Sequence, residues 1–239
     1  LPALVELHGV SKSFGSVKAI ENVSVTIEEG EALGIVGPNG AGKTTLLNVV
    51  AGSLRADRGS VLFEGRDITR LAGHAHCREG IARTFQIPRP FAGLTAFENV
   101  LVGATHGRRG HKAGQQACLD ALEQARLLGK ANALASRLTL LERKRLELAR
   151  ALVTEPRVLL LDEIGGGLTE PEVLELVETI KALSAEGLTI VWIEHIVHAL
   201  LSVVGRLVAL AAGRMLIEGD PQAVISSPEL RGVYLGTDL

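Results

Sequence analysis

Apolar and polar residues alternate along "LVELHGV" (Leu4–Val10) and "VSVTI" (Val23–Ile27), the two-residue period of half-buried strands. "GSVLFEG" (Gly59–Gly65) sets another strand between glycines, and together these predict an antiparallel β layer. A different pattern governs "EALGIVG" (Glu31–Gly37), "RVLLLDE" (Arg157–Glu163) and "LTIVWIEH" (Leu188–His195). They are continuous apolar runs, as expected of strands covered on both faces in a parallel sheet. Helical spacing marks "TTLLNVVAG" (Thr44–Gly52), "QQACLDALEQARLLG" (Gln115–Gly129, ending at its glycine) and "EPEVLELVETIKALSAEG" (Glu170–Gly187, with Pro171 in its first turn). "RLTLLERKRLELARAL" (Arg137–Leu152) predicts a helix capped by Thr139, with Glu142 reaching back in a capping box.

The stretch 97–154 carries no strand pattern and predicts a helical insert. "RLVALAAGRMLIEGD" (Arg206–Asp220) predicts a hairpin turning at Ala212–Gly213, and 221–239 a short helix with a frayed end. "GRRGHKAG" (Gly107–Gly114) predicts a solvated loop. Alternating strands and helices define an α/β fold: a mostly parallel core sheet, an antiparallel β subdomain and the helical insert, in one domain over 1–239.

The 239 residues suffice for a sizeable core, and 46% hydrophobic with 22% charged residues is ordinary for a globular chain. Aromatics are only 3%, so Leu, Val, Ile and Ala must fill the interior. A net charge of −2 lacks the basic footprint of a nucleic-acid binder. Cys77 and Cys118 show no metal-ligand spacing and are expected as free thiols in a reducing compartment. The most apolar long stretch, His198–Ile217, is cut by Arg206 and Arg214, so no membrane-crossing helix is expected. No signal peptide is visible, and Leu1 in place of Met suggests a trimmed start.

The chemistry begins at "GPNGAGKTT", which spans Gly37, Pro38, Asn39, Gly40, Ala41, Gly42, Lys43, Thr44 and Thr45. It matches GxxxxGK[ST] between a predicted strand and helix. Glycines let successive N–H groups point inward at phosphate oxygens, and the helix N-terminus adds partial positive charge. Lys43 can reach the β and γ phosphates, and Thr44 can offer its hydroxyl to Mg²⁺. Asp162 and Glu163 leave the end of a buried strand, where ligands gather in open α/β sheets. Asp162 suits Mg²⁺, and Glu163 suits the attacking water.

The pairing of these two motifs resembles the ATPase subunit of ABC transporters over nearly the whole chain, which implies a P-loop ABC-type ATPase fold, with ATP and Mg²⁺ as ligands. The resemblance implies further roles. Phe14 in "SKSFG" would stack on adenine, and Gln86 in "RTFQ" would sense Mg²⁺ and water at the γ-phosphate. His195 in "VWIEH" would contact the γ-phosphate, and "LTLLE" (Leu138–Glu142) aligns with the signature LSGGQ. In that family two subunits sandwich two nucleotides head to tail, so Thr139 would face the ATP of a second ATPase subunit in a homo- or heterodimer.

The chain departs from the family pattern in three places. Leu140 and Leu141 stand where two glycines are usual, Ile164 stands in place of Pro, and "GGGLT" (Gly165–Thr169) replaces a loop of the SALD or AGLN kind. Either the two leucines turn aside and the phosphate-facing amides still serve, or this half-site is degenerate and a different partner subunit supplies a working one. Three adjacent glycines give the loop unusual backbone freedom.

"GIARTFQ", "LTAFENVLVG", "ERKRLELARAL", "IEHIVHAL" and "GDPQAVISSPELRGVYLG" resemble one branch of the family, the ATPases of branched-chain amino acid importers. That implies transmembrane permease partners, an indirect link to a periplasmic or extracellular substrate-binding protein, and a peripheral place on the cytoplasmic face of the plasma membrane. "IPRPFAGLTAFENV" would face the permease. Two alternatives stand beside this: a soluble ABC ATPase such as an iron–sulfur assembly subunit, and a regulatory module that closes on ATP without turnover.

Overall fold

Why the chemistry gathers at one edge follows from the order of the strands. The computed structural model describes residues 2–108 and 114–235. The chain opens with β1 (Ala3–Phe14) and β2 (Val17–Glu28), then β3 (Ala32–Val36) and α1 (Lys43–Val50). Next come β4 (Arg58–Phe63), β5 (Arg66–Asp67), α2 (Gly73–Glu79) and β6 (Ile81–Arg83). The helices α3 (Ala96–His106), α4 (Gln115–Gln124) and α5 (Leu140–Leu152) follow, then β7 (Val158–Asp162), α6 (Glu170–Ala185) and β8 (Thr189–Ile193). The chain closes through α7 (Val197–Leu201), β9 (Arg206–Ala211), β10 (Arg214–Gly219), α8 (Pro221–Ser226) and α9 (Pro228–Leu235).

The expected antiparallel layer is a four-stranded sheet in the order β2-β1-β4-β5. The central sheet runs β10-β9-β3-β8-β7-β6, parallel throughout except for the β9–β10 hairpin. Every residue of β3, β7 and β8 is buried, which is why these segments read as unbroken apolar runs. One core joins the antiparallel layer, α1 and one face of the central sheet through Leu7, Ile27, Leu46, Val50 and Val208. The other joins the opposite face to α3–α6 through Val100, Leu122, Leu146, Ile180 and Trp192. The hairpin turns at Ala212 (φ 46°) and Gly213 (φ 79°) as anticipated; both take the left-handed backbone that a tight two-residue turn requires.

Two local expectations differ from the structure, and two elements were not expected at all. Helix α4 ends at Gln124 rather than at Gly129, because Arg126 takes the left-handed terminating position (φ 54°). There the Leu127 N–H bonds the Leu122 carbonyl at 2.7 Å, and Leu127 is buried. The tail is two helices: Asp220 caps α8, Ser227 turns extended, and Pro228 starts α9 in the position proline tolerates. The helix α2, with its buried His76, and the short strand β6 carried no clear period and went unanticipated. Residues 109–113 of the Gly107–Gly114 loop, and the last four residues of the tail, lie outside the described residues.

Candidate nucleotide-binding and hydrolytic site

β3, β8 and β7 are neighbours, so the loops leaving their C-terminal ends share one edge of the sheet. After β3 the chain curls through Gly37 (φ 149°) and Gly42 (φ 98°) into α1. A Cβ on Gly37 would lie 2.1 Å from the Leu210 carbonyl oxygen, and one on Gly42 would lie 2.3 Å from that of Ala19. Only glycine fits either place. No side chain caps Gly42 and no acid sits in the first turn of α1, so its leading N–H groups are open to an anion.

Lys43 is buried and folds back over this loop, donating to the carbonyls of Gly37 (2.7 Å) and Pro38 (3.0 Å). Burial pushes its ammonium below the usual lysine range, while the carboxylates of Glu163 and Asp162 pull it back up. The Thr44 hydroxyl donates to Asp162 Oδ1 at 3.3 Å, so one hydroxyl and one carboxylate present hard oxygens side by side. That donor pair fits Mg²⁺, which keeps waters and phosphate oxygens as its other ligands.

Asp162 is 2% exposed, and its second oxygen accepts from Arg83 Nη2 at 2.7 Å. Arg83 also donates to the Asn48 amide oxygen on α1. Sequence reasoning missed Arg83; the available signal was a lone cation in an otherwise apolar stretch, "IAR".

Glu163 follows β7 with φ 47°, a left-handed backbone uncommon for a side-chain-bearing residue. Its N–H is tied to the Ile193 carbonyl at 2.8 Å. One carboxylate oxygen meets His195 Nε2 at 2.6 Å and the other accepts from the Gln86 side-chain amide. Gln86, Glu163 and His195, 77 and 32 positions from one another along the chain, therefore touch. Phe14, half-exposed at the end of β1, lines the same cleft of about 330 Å³ as Asn39–Thr45 and Glu163.

A comparable surface depression of about 370 Å³ beside Glu29, Arg157 and Leu188 contains neither the glycine loop nor the acid pair, and we assign it no chemistry. Thr139 stands apart: it caps α5 in the expected capping box, bonding the Glu142 N–H (3.3 Å) while its own N–H donates to the Glu142 carboxylate (2.9 Å).

Two more residues were missed. Buried Glu194 accepts the N–H groups of Gly165 and His195, both at 2.9 Å, and so staples the loop after β7 to the loop after β8. The three-glycine loop is thus a bonded turn rather than a free one: Gly166 N–H also meets the Glu163 carbonyl and Leu168 N–H that of Gly165, each at 3.2 Å. Tyr234 on α9 lines a small hollow with Gly37, Pro38, Asn39 and His195, bringing the tail to the site.

A glycine-curled anion cradle after β3, faced by two acids at the end of β7 across β8, defines a P-loop nucleotide-binding protein. A family model described as ABC transporter matches residues 20–165, and the chain belongs to that family. It is 33% identical over 250 residues to the high-affinity branched-chain amino acid transport ATP-binding protein BraF of Pseudomonas aeruginosa, covering 98% of each chain. It is 34% identical over 233 residues to the lipopolysaccharide export system ATP-binding protein LptB of Acidithiobacillus ferridurans, covering 98% of this chain and 97% of LptB.

Among solved structures, the ADP conformation of an ABC transporter's ATP-binding cassette matches with a TM-score of 0.90 at 30% identity, covering 99% of this chain and 100% of the other. A dimeric cassette bound to ADP and phosphate matches with a TM-score of 0.81 at 26% identity, covering 91% and 99%. The chain is an ABC ATP-binding subunit, and ATP hydrolysis is the activity expected of its family. Among the described residues, no helix is long and apolar enough to cross a membrane.

Proposed function

We propose that this subunit hydrolyses ATP at the cytoplasmic face of the plasma membrane to power an importer of branched-chain or related amino acids. The observation that carries the hydrolytic part is the Glu163 carboxylate, held between Gln86 and His195 beside the Lys43 loop. Open amides of the loop and α1 take the phosphates, and Lys43 exchanges its two carbonyl partners for β and γ oxygens. Phe14 offers its exposed ring to the base.

Mg²⁺ bound by Thr44 and Asp162 would neutralise charge on the phosphates. Glu163 orients and polarises the attacking water, with Gln86 fixing one carboxylate oxygen and His195 the other. Most of the rate then comes from positioning.

Transport needs a permease and a second cassette. Phe85, Ile87, Phe91 and Leu101 are exposed apolar residues, and Phe85 borders a cleft of about 330 Å³ between the core sheet and α3. This surface suits cytoplasmic helices of a permease. The branched-chain cargo rests on the full-length likeness to BraF and on the tail sequence; LptB, of similar identity, serves an exporter. A substrate-binding protein outside the membrane would deliver the amino acid.

The test is co-purification with the permease subunits, reconstitution in vesicles and ATP-dependent uptake of labelled leucine. Glu163→Gln is expected to lower turnover by about 10²–10⁴-fold while leaving ATP bound. Undiminished hydrolysis in that variant, or vesicles that take up no branched-chain amino acid, refutes the corresponding half of the proposal.

A further inference from the structure

The ladder between β7 and β8 ends at the Asp162–Ile193 pair, and beyond it the two chains part. One backbone bond continues past that point, from the Glu163 N–H to the Ile193 carbonyl at 2.8 Å. The next tie is made by a side chain. Glu194 Oε2 accepts the Gly165 N–H at 2.9 Å, while Oε1 accepts the His195 N–H at 2.9 Å and the Ile196 N–H at 3.4 Å. The loop carrying Glu163 is thus fixed at Glu163 and again two residues later. The loop carrying His195 is fixed by the same carboxylate.

A buried carboxylate is costly unless both oxygens find partners. Glu194 is 3% exposed, and N–H donors face it from two sides. A carboxylate only accepts, so it can serve both sides at once; a glutamine amide has one accepting oxygen and an NH₂ group that donates. The facing cation is Lys144 on α5, also buried. Burial pushes its ammonium below the usual lysine range, and the carboxylates of Glu194 and Glu163 pull it back up. The first of the three loop glycines follows from the same contact. A Cβ on Gly165 would lie 2.9 Å from Glu194 Oε2 and 3.1 Å from Ile196 Cδ1, so a side chain there would push the carboxylate away.

We infer that Glu194 is a positioning residue for hydrolysis: by holding the backbones of Gly165 and His195 together, it keeps the His195 imidazole against the Glu163 carboxylate. This rests on the proposed role of Glu163 toward the attacking water. Glu163 and His195 meet at 2.6 Å, yet they stand on loops that leave two different strands. Neither loop is bound to the other by a continued ladder. Without Glu194 each could drift by a fraction of an ångström, and a carboxylate that must aim a water tolerates little drift. ATP binding would survive, because Lys43 and the glycine loop stand on β3 and α1.

The experiment measures hydrolysis by the full chain in the reconstituted transporter, with binding of a fluorescent ATP analogue and thermal unfolding followed on the same preparations. Glu194→Gln keeps the side-chain shape and is expected to lower kcat by about 10–100-fold, with the dissociation constant of the analogue unchanged. Gly165→Ala disturbs the same contact from the other side and should give the same split. In a Glu163→Gln background, Glu194→Gln should slow the single-turnover rate no further, because the group it acts through is already gone. A merely structural role would cost the same factor in both backgrounds. Unchanged kcat in folded Glu194→Gln, a loss of affinity in place of turnover, or equal losses with and without the Glu163 carboxylate overturn the inference alone. If Glu194→Gln does not fold, Gly165→Ala decides on the same readings. Undiminished hydrolysis by Glu163→Gln takes the proposed function down with it.

Discussion

Arg83 shows how much one unanticipated side chain carries. It is the cation against a carboxylate that is 2% exposed, and it reaches from β6 to both β7 and α1. Removing one partner of a buried pair leaves an uncompensated charge, at a cost of about 3–5 kcal/mol. Arg83→Met should therefore lower the unfolding free energy read from urea denaturation by that amount, and adding Asp162→Asn should recover part of it. Additive losses in this double-mutant cycle would mean that the pair is not coupled. Arg83 was hard to find because its partner lies 79 positions away, and only the β6–β7 pairing joins them. Glu163 was legible as a candidate because it ends an apolar run. Its left-handed backbone was not, and while the family resemblance placed Gln86 and His195 at the same phosphate, their direct grip on the Glu163 carboxylate depends on β8 and on the loop after β6.

At the scale of elements, α5 was the most legible piece, since its capping box and apolar period are local. The Thr139 N–H holds the Glu142 carboxyl below the usual carboxylate range, with Lys130 at 3.1 Å helping. A depressed carboxyl adds stability that is present above its unfolded value, about 4.3, and is lost as pH falls through the lower folded value. Glu142→Gln should thus be less stable than the native chain at neutral pH, and the gap should close in acid. A gap that is constant across that range would deny the carboxylate its role.

The polar face of α5 has a use that its sequence did not reveal. Buried Lys144 donates to the Gln86 carbonyl at 3.3 Å, and Glu147 accepts the Arg89 N–H at 3.0 Å. Arg150 donates to the Arg89 carbonyl at 3.1 Å. The helix that would face a partner's nucleotide thus grips the segment that carries Gln86. Lys144→Met keeps the aliphatic stem and removes the tether. Turnover should drop by about ten- to a hundredfold with ATP affinity unchanged; a loss of affinity with turnover intact would place Lys144 in binding instead.

For the molecule as a whole, ligand binding is a stability statement. At a hundred times its dissociation constant, MgATP should add about 2.7 kcal/mol to the folded state. For a chain of this size that is a rise in Tm of about 5–11 °C. Lys43→Ala should abolish the shift, as read by differential scanning calorimetry, and a retained shift would show that the phosphates are held without the lysine.

The sequence by itself determined the elements and their chemistry, because strand period, capping box, glycine loop and acid pair are all written in short stretches of chain. It could not determine which half-buried groups face one another. The tertiary structure alone decided that Arg83 meets Asp162, that Glu194 ties two loops, that Tyr234 returns from the tail, and that Leu140 rests on Gly167. The physical reason is the strand order. Placing β8 between β3 and β7 brings residues more than a hundred positions apart onto one edge, and neither periodicity nor spacing encodes that permutation.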